Sequence, residues 1–223
     1  MKEFPMSKYE IEEELYDRGY KLICGVDEVG RGSIAGPLVV CTVILPPLEH
    51  IAGIDDSKKL SPKKREEIAK IIRKKALAIS TIFIEPEEVD ELNIYQATKK
   101  GMLEAINKLK VKPDFALIDA MPLNELNIAH ESLIHGDALS ASIGAASILA
   151  KVQRDDYMCK MDLKYPNYGF SKHKGYCTKG HVKALEEKGP CPIHRKTFYP
   201  VSKYFQKIHQ LSFSFADESN KSE

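Results

Sequence analysis

The chain lacks any run of about 20 consecutive apolar residues, the length a membrane-spanning helix needs. Its opening stretch, MKEFPMSKYEIEEELYDRGY, is acidic and has none of the apolar centre of a secretory leader. Cysteine is scarce and unpatterned: five residues (Cys24, Cys41, Cys159, Cys177 and Cys191), an odd number, with no CxxC. These absences point away from a membrane protein and from a disulfide-stapled secreted scaffold. The expectation is a cytoplasmic protein with free thiols.

An excess of one charge is lacking too, because the net charge is only +1. Its distribution is more telling. Residues 1–20 carry three Lys/Arg against six Asp/Glu. Residues 55–75 carry nine against four, and residues 171–209 nine against two, with four histidines. Two readings stand: lysine-rich helices that present a solvated face, or a surface that holds a polyanion.

Internal repeats and low-complexity linkers are absent as well, so 223 residues suit one large domain with a small appendage. The spacing of apolar residues predicts a short helix over 7–19 and strands over 21–29 and 37–45. Ser61 as N-cap and Pro62 at the first helical position predict a helix over 61–77. A strand over 78–86, helical segments over 85–110, a strand over 113–121 and a short strand over 131–138 follow. A long helix over 139–162 has a start rich in Ala, Ser and Gly, and a helix over 178–189 and a possible last one near 200–211 complete the chain. The class is α/β, with one mixed sheet, helices on its faces and a helical C-terminal part.

Four acids stand out. Asp27 and Glu28 follow LICGV, Asp119 follows FALI, and Asp137 follows SLIHG. Acids are depleted in strands, and a buried unpaired carboxylate is costly. Taken singly, Asp119 or Asp137 suits a turn. The adjacent pair is harder to explain so, because neighbours in a strand point to opposite faces. Gathered at one sheet edge, the four would repel one another unless a divalent cation bound them. Oxygen donors suit Mg²⁺ or Mn²⁺, and such ions in pairs run in-line phosphoryl displacement. The Gly30-Arg31-Gly32 turn reads in two ways: a tight turn needing positive φ, or a side-chain-poor loop that lets backbone groups approach a ligand such as a ribose 2′-OH.

GVDEVGRGSIAGP closely resembles the signature of bacterial ribonuclease HII, the type 2 ribonuclease H. So do DSKKLS, DELNIYQAT, ALIDAM, GDALSASIGAASILAKVQRD, YPNYGFSKHKGY and GPCPIHRKTF, in the family's order and across residues 9 to about 205. The resemblance implies an RNase H-like core over 21–165 after an N-terminal helical segment (1–20). A C-terminal helical substrate-binding extension (166–210) would follow, and the polar composition past it predicts a flexible tail (211–223). It implies a metal-dependent endoribonuclease that cuts RNA in RNA–DNA hybrids and at ribonucleotides embedded in duplex DNA. The cut falls on the 5′ side of the ribonucleotide and leaves 3′-hydroxyl and 5′-phosphate ends.

By position, Asp27, Glu28 and Asp119 match the family's metal ligands, Asp137 its fourth active-site carboxylate, and Asp155 a further acid near the site. The Gly30–Gly32 turn and Tyr176 match the part that reads the 2′-OH. Lys58 and Lys59, and the basic stretch around Lys172, Lys174 and Arg195, suit phosphate contacts that fix register without reading sequence. Ala120 stands where many relatives have glycine. Arg31, and the short helix expected before the core, distinguish the chain from the sister ribonuclease HIII branch. A hybrid-binding protein without catalysis is the other alternative, disfavoured by the four acids.

Cys177, His181, Cys191 and His194 have spacings loosely acceptable for zinc. The family's matching segments keep the histidines without these cysteines, so the expectation is free thiols and surface or phosphate-facing histidines. The tail QLSFSF (210–215) resembles the short peptides by which bacterial repair proteins dock on the sliding clamp; the alternative is packing against the last helix.

Overall fold

The computed structural model describes residues 8–47, 49–54 and 60–206. A single five-stranded sheet runs through them in the order β3-β2-β1-β4-β5. Strand β1 (Ile23–Val29) pairs antiparallel with β2 (Leu38–Ile44), and β2 with β3 (Ala78–Ile84). On its other side β1 runs parallel to β4 (Phe115–Asp119), which runs parallel to β5 (Ala129–Leu133). The central strand β1 thus ends next to the end of β4, at the point where the chain changes sides of the sheet. In open α/β sheets this is where ligands gather.

Helices cover both faces. After the acidic α1 (Glu10–Asp17) and the first two strands comes α2 (Pro62–Lys75). Ser61 caps it by accepting from the amide of Lys64, as its sequence predicts. Helices α3 (Pro86–Leu92) and α4 (Ile94–Asn107) follow β3. The Asn93 side chain caps α4 through the amides of Tyr95 and Gln96. The one-turn α5 (Gly136–Leu139) leads into the long α6 (Ala141–Lys164), then α7 (Phe170–His173) and α8 (Lys179–Lys188).

Alternation along the strands divides the core. Val26, Val40, Ile84 and Ile118 point to α4 and pack with Met102 and Ala105. Val39, Cys41 and Val43 point to α6 and α2 and pack with Ile68, Ala145 and Leu149. All seven residues of β2 are buried, so this strand reads as a continuous apolar run. The small-residue start of α6 has a direct partner. A Cβ on Gly25 would lie 2.0 Å from the Ser142 carbonyl carbon, so only glycine lets α6 lie on β1 at this point.

The α/β class, the mixed sheet and the helical C-terminal part are as expected. One boundary differs. The fifth strand ends at Leu133, and His135 adopts a left-handed φ of 58°. Asp137 therefore sits on α5, not at a strand end. No helix among the described residues is long and apolar enough to cross a membrane. All five cysteines are free.

Candidate active site

Strand register places the first two acids. Asp27 lies opposite Cys41, hence on the α6 face, and Glu28 opposite Val40, hence on the α4 face. In β4, Asp119 shares its face with Phe115 and Leu117, which pack with Ile143 of α6. The parallel register of β1 and β4 runs up to Val26 against Ile118, so Asp27 and Asp119 are next neighbours across the ladder. Glu28 leaves the opposite face, but it does so where the strand ends. One oxygen from each of Asp27, Glu28 and Asp119 lies within 4.8 Å of the others. Among the described residues this is the one group of three or more His, Cys, Asp or Glu close enough to share an ion.

Burial and mutual repulsion make the cluster costly without a cation. Burial, then the charges of Glu28 and Asp119, push the Asp27 carboxyl well above the usual carboxylate range; hydrogen bonds from Ser147 and the Glu28 amide (2.7 Å) act against this. Glu28 is pushed up to about 7 by burial, with Arg31 opposing and Asp119 adding to the rise. Its Oε1 faces Arg31 Nη1 at 3.4 Å, while its buried Oε2 has no hydrogen-bond partner among the described residues. A buried oxygen without a donor, beside two further carboxylates, fits a hard divalent cation.

Asp137 is close to this cluster without being part of it. The amide of its neighbour Gly136 donates to Asp119 Oδ1 at 2.8 Å. Lys8 Nζ donates to the Asp137 carbonyl at 2.7 Å, which ties the N-terminal segment to α5. Asp155 is placed elsewhere, on α6, with Lys151 Nζ at 2.7 Å and Arg65 Nη1 at 3.8 Å. Asp155 and Arg65 border a cleft of about 310 Å³ that Lys172 and Lys174 also line. Lys58 and Lys59 lie outside the described residues, as does the 210–215 peptide.

The glycine turn is held from below. Gly30 has φ +96°, and a Cβ there would lie 2.3 Å from Arg154 Nε. Glycine is thus required both for conformation and for the approach of that guanidinium. Arg154 donates to the carbonyls of Pro37 (2.9 Å), Lys174 (2.8 Å) and Ala35 (3.2 Å). Arg195 donates to Arg31 (3.0 Å) and, twice, to Gly36 (3.1 and 2.9 Å). Both side chains are fully buried. Tyr176 lies on the other side of the turn, 36% exposed, bridged to Ser33 along the backbone and with its ring 5.5 Å from the Arg154 guanidinium carbon.

Two expectations are corrected here. Arg195 cannot reach a phosphate from the surface, because all of its exposure is lost to the carbonyls it binds. His181 and His194 are not surface groups either: both are buried and face one another at 3.1 Å between their Nε2 atoms. Cys177, by contrast, is exposed, and these cysteines and histidines form no three-ligand group among the described residues. Arg154 was not singled out from the sequence, where it stands among the polar residues of KVQRDD and reads as solvent-facing.

The ribonuclease HII family model matches residues 24–201. Ribonuclease HII of Listeria monocytogenes is 51% identical over 204 residues, spanning 92% of this chain and 76% of that protein. Ribonuclease HII of Acetivibrio thermocellus is 49% identical over 187 residues, 84% and 73% of the two chains. Among solved structures, ribonuclease H2 of Pyrococcus horikoshii superposes with a TM-score of 0.73 at 25% identity, covering 84% of this chain and 99% of that one. The PCNA:RNase HII complex of Archaeoglobus fulgidus gives a TM-score of 0.69 at 28% identity, covering 79% and 95%.

Proposed function

This chain belongs to the ribonuclease HII family, a family of endoribonucleases, and from that premise we propose that it cuts RNA in RNA–DNA hybrids and at single ribonucleotides within duplex DNA, using Mg²⁺ or Mn²⁺. Cleavage falls on the 5′ side of the ribonucleotide and leaves 3′-hydroxyl and 5′-phosphate ends. The observation that carries this reading is the convergence of Asp27, Glu28 and Asp119 within 4.8 Å, with the buried Glu28 Oε2 left without a donor among the described residues.

In this reading Asp27, Glu28 and Asp119 hold the divalent ions, and Asp137, placed by α5 beside Asp119, completes the set. The bound ions supply activation of the attacking water and neutralise charge on the leaving oxygen. The ligands come from both faces of the sheet, so β1 and β4 fix them without a loop. Gly30 and Gly32 bring backbone close to the ribose, and the half-exposed ring of Tyr176 meets it from the other side. The residues past 165 form the substrate-binding extension, with Lys172 and Lys174 as phosphate contacts, and Lys58 in the same role. Asp155 acts at one remove, ordering Lys151 and Arg65.

The test is a labelled duplex carrying one ribonucleotide, incubated with the full chain in Mg²⁺, Mn²⁺ or chelator, with the ends of the product identified. Lack of cleavage with every divalent ion would sink the reading. Free thiols fit a reducing cytoplasm, where we place the protein. The PCNA complex of the Archaeoglobus relative supports a sliding-clamp contact, for which residues 210–215 are the candidate peptide. Deleting them should abolish retention on immobilised clamp, and unchanged retention would end that idea.

A further inference from the structure

The segment 33–36 beyond the glycine turn runs between two others. The amides of Ile34 and Ala35 donate to Gly175, that of Gly36 donates to Ile193, and the amide of Arg195 donates to Ile34. Ala35 bridges to His194 as Ser33 does to Tyr176. Behind this three-ply arrangement lie His173, His181 and His194, with His173 stacked on His181 at 4.2 Å and the Phe170 ring edge-on to both.

Their partners leave one consistent arrangement of protons. The Tyr176 carbonyl only accepts, so His181 Nδ1–H must donate to it, at 3.0 Å. A neutral His181 then has a lone pair on Nε2, and His194 Nε2–H donates to that, at 3.1 Å. His194 Nδ1 is left to accept from the Cys191 amide at 2.9 Å, the shortest of its three contacts with that residue, the thiol lying at 3.1 Å and the carbonyl at 3.2 Å. His173 donates from Nε2 to the Tyr168 carbonyl (2.8 Å) and accepts at Nδ1 from the Gly175 amide (3.2 Å). Each imidazole has a defined tautomer, and the chain of donors ends on the backbone of Tyr176. Burial pulls His181 and His194 down to about 4, which agrees with two neutral rings.

The geometry points to His181 and His194, supported by His173, as positioning residues that hold Tyr176 against the glycine turn and so set how tightly a ribonucleotide is gripped. This rests on the reading of Tyr176 as the residue that meets the ribose. The imidazoles touch no substrate; they act through the Tyr176 carbonyl.

Two measurements on the full chain test it. Nitrogen-15 correlation spectra at about pH 7 read the tautomers directly. Expected are Nδ1–H for His181 and Nε2–H for His173 and His194, with His181 and His194 uncharged. A protonated pair, or Nε2–H at His181, overturns the proposal. The second measurement is KM and kcat on a duplex with one ribonucleotide. H181L and H194L remove the donors, whereas H181N and H194Q keep an amide N–H in the same place. Loss of one hydrogen bond predicts a KM about tenfold higher in the leucine variants, with kcat within about threefold, and recovery to within about threefold of the parent KM in the amide variants. An unchanged KM in the leucine variants, or amide variants as impaired as the leucine ones, overturns it. If a leucine variant gives no cooperative melt, the spectra and the amide variants decide. Y176A separates the two failures: parental kinetics there defeat the ribose reading of Tyr176, while the spectra still judge the network.

Discussion

Arg195 Nη1 donates to the carbonyl of Arg31 at 3.0 Å, across 164 residues of sequence. With its two further bonds to Gly36, this side chain fastens the C-terminal part to the glycine turn and to the segment that follows it. Among the described residues its hydrogen bonds go to carbonyl oxygens, with the Phe198 ring 5.0 Å from the guanidinium carbon and the charge of Asp90 acting on it from further off. Burial and the neighbouring Arg154 pull its pKa down to about 9, which still leaves it a cation at neutral pH.

Arg195→Ala should therefore be among the more damaging changes outside the acids. It strips the buried Gly36 carbonyl of two donors and unties the part-buried Arg31 carbonyl, at about 2–4 kcal/mol of stability. Arg195→Lys keeps the charge but loses the planar fork, so its loss should be smaller but clear. Urea denaturation measures both. Cleavage by the lysine variant should show a raised KM, because the turn is no longer fastened at Arg31. A lysine variant as stable as the parent would show that charge alone suffices.

Asp27→Asn should cut cleavage about a thousandfold or more. Its effect on stability should have the opposite sign. A carboxyl raised by burial and by Glu28 and Asp119 favours the fold while protonated, and that contribution is lost as pH rises through its folded value. At about pH 8 in chelator the parent bears the cost of the charge and the asparagine protein does not. Its melting temperature should be higher by a few degrees. Added Mg²⁺ should raise the melting temperature of the parent more than that of the variant. Equal melting of the two proteins in chelator would contradict the repulsion argument.

These two sites differ in how far they could be seen in the sequence. Asp27 and Glu28 were legible because a carboxylate pair inside an apolar strand is anomalous by itself, and strand alternation already demanded that they leave opposite faces. Most element positions were legible for similar reasons, as with the Ser61-Pro62 start of α2. The role of Arg195 was not. A basic residue in a basic district reads as solvent-facing, and its acceptors are backbone carbonyls some 160 residues away that carry no sequence signal. His181 and His194 were misread on the same ground. Asp137 was shifted off its strand by a left-handed His135, a conformation that histidine favours over most residues but adopts too rarely to be read from sequence.

Ala120 offers a gain. It follows Asp119 with φ +49°, in the left-handed region, while its amide donates to the Leu133 carbonyl at 2.9 Å. The observed backbone explains why glycine suits this position: alanine bears a steric penalty of about 1 kcal/mol there. Ala120→Gly should relieve it and, after the greater freedom of glycine in the unfolded chain, stabilise by about 0.5 kcal/mol. Because the Asp119 carboxylate is not altered, cleavage should stay within about twofold. A destabilised glycine protein, read by denaturant midpoint, would mean that the penalty is already relieved by its surroundings.

The buried histidines predict a distinctive acid response. His181 and His194 fall from 6.5 to about 4 on folding, mainly through burial. Below about 6.5 the unfolded chain therefore binds protons that the folded one refuses. Their contribution is neutral above that pH and turns progressively against the fold as pH falls toward about 4. Glu28, raised from 4.5 to about 7, works the other way across much of the same window, because it takes up its proton first in the folded state. The absolute slope of the parent thus mixes opposing signs, and the informative quantity is a difference. The double variant H181N/H194Q cannot titrate at these positions, so its stability should fall less steeply than that of the parent between about pH 6.5 and 4. Near pH 5 the gap in slope should be roughly 2 kcal/mol per pH unit. Chemical denaturation at half-unit steps of pH, in chelator to keep Glu28 in the same state in both proteins, measures it. Parallel curves would mean that the two imidazoles accept protons inside the fold.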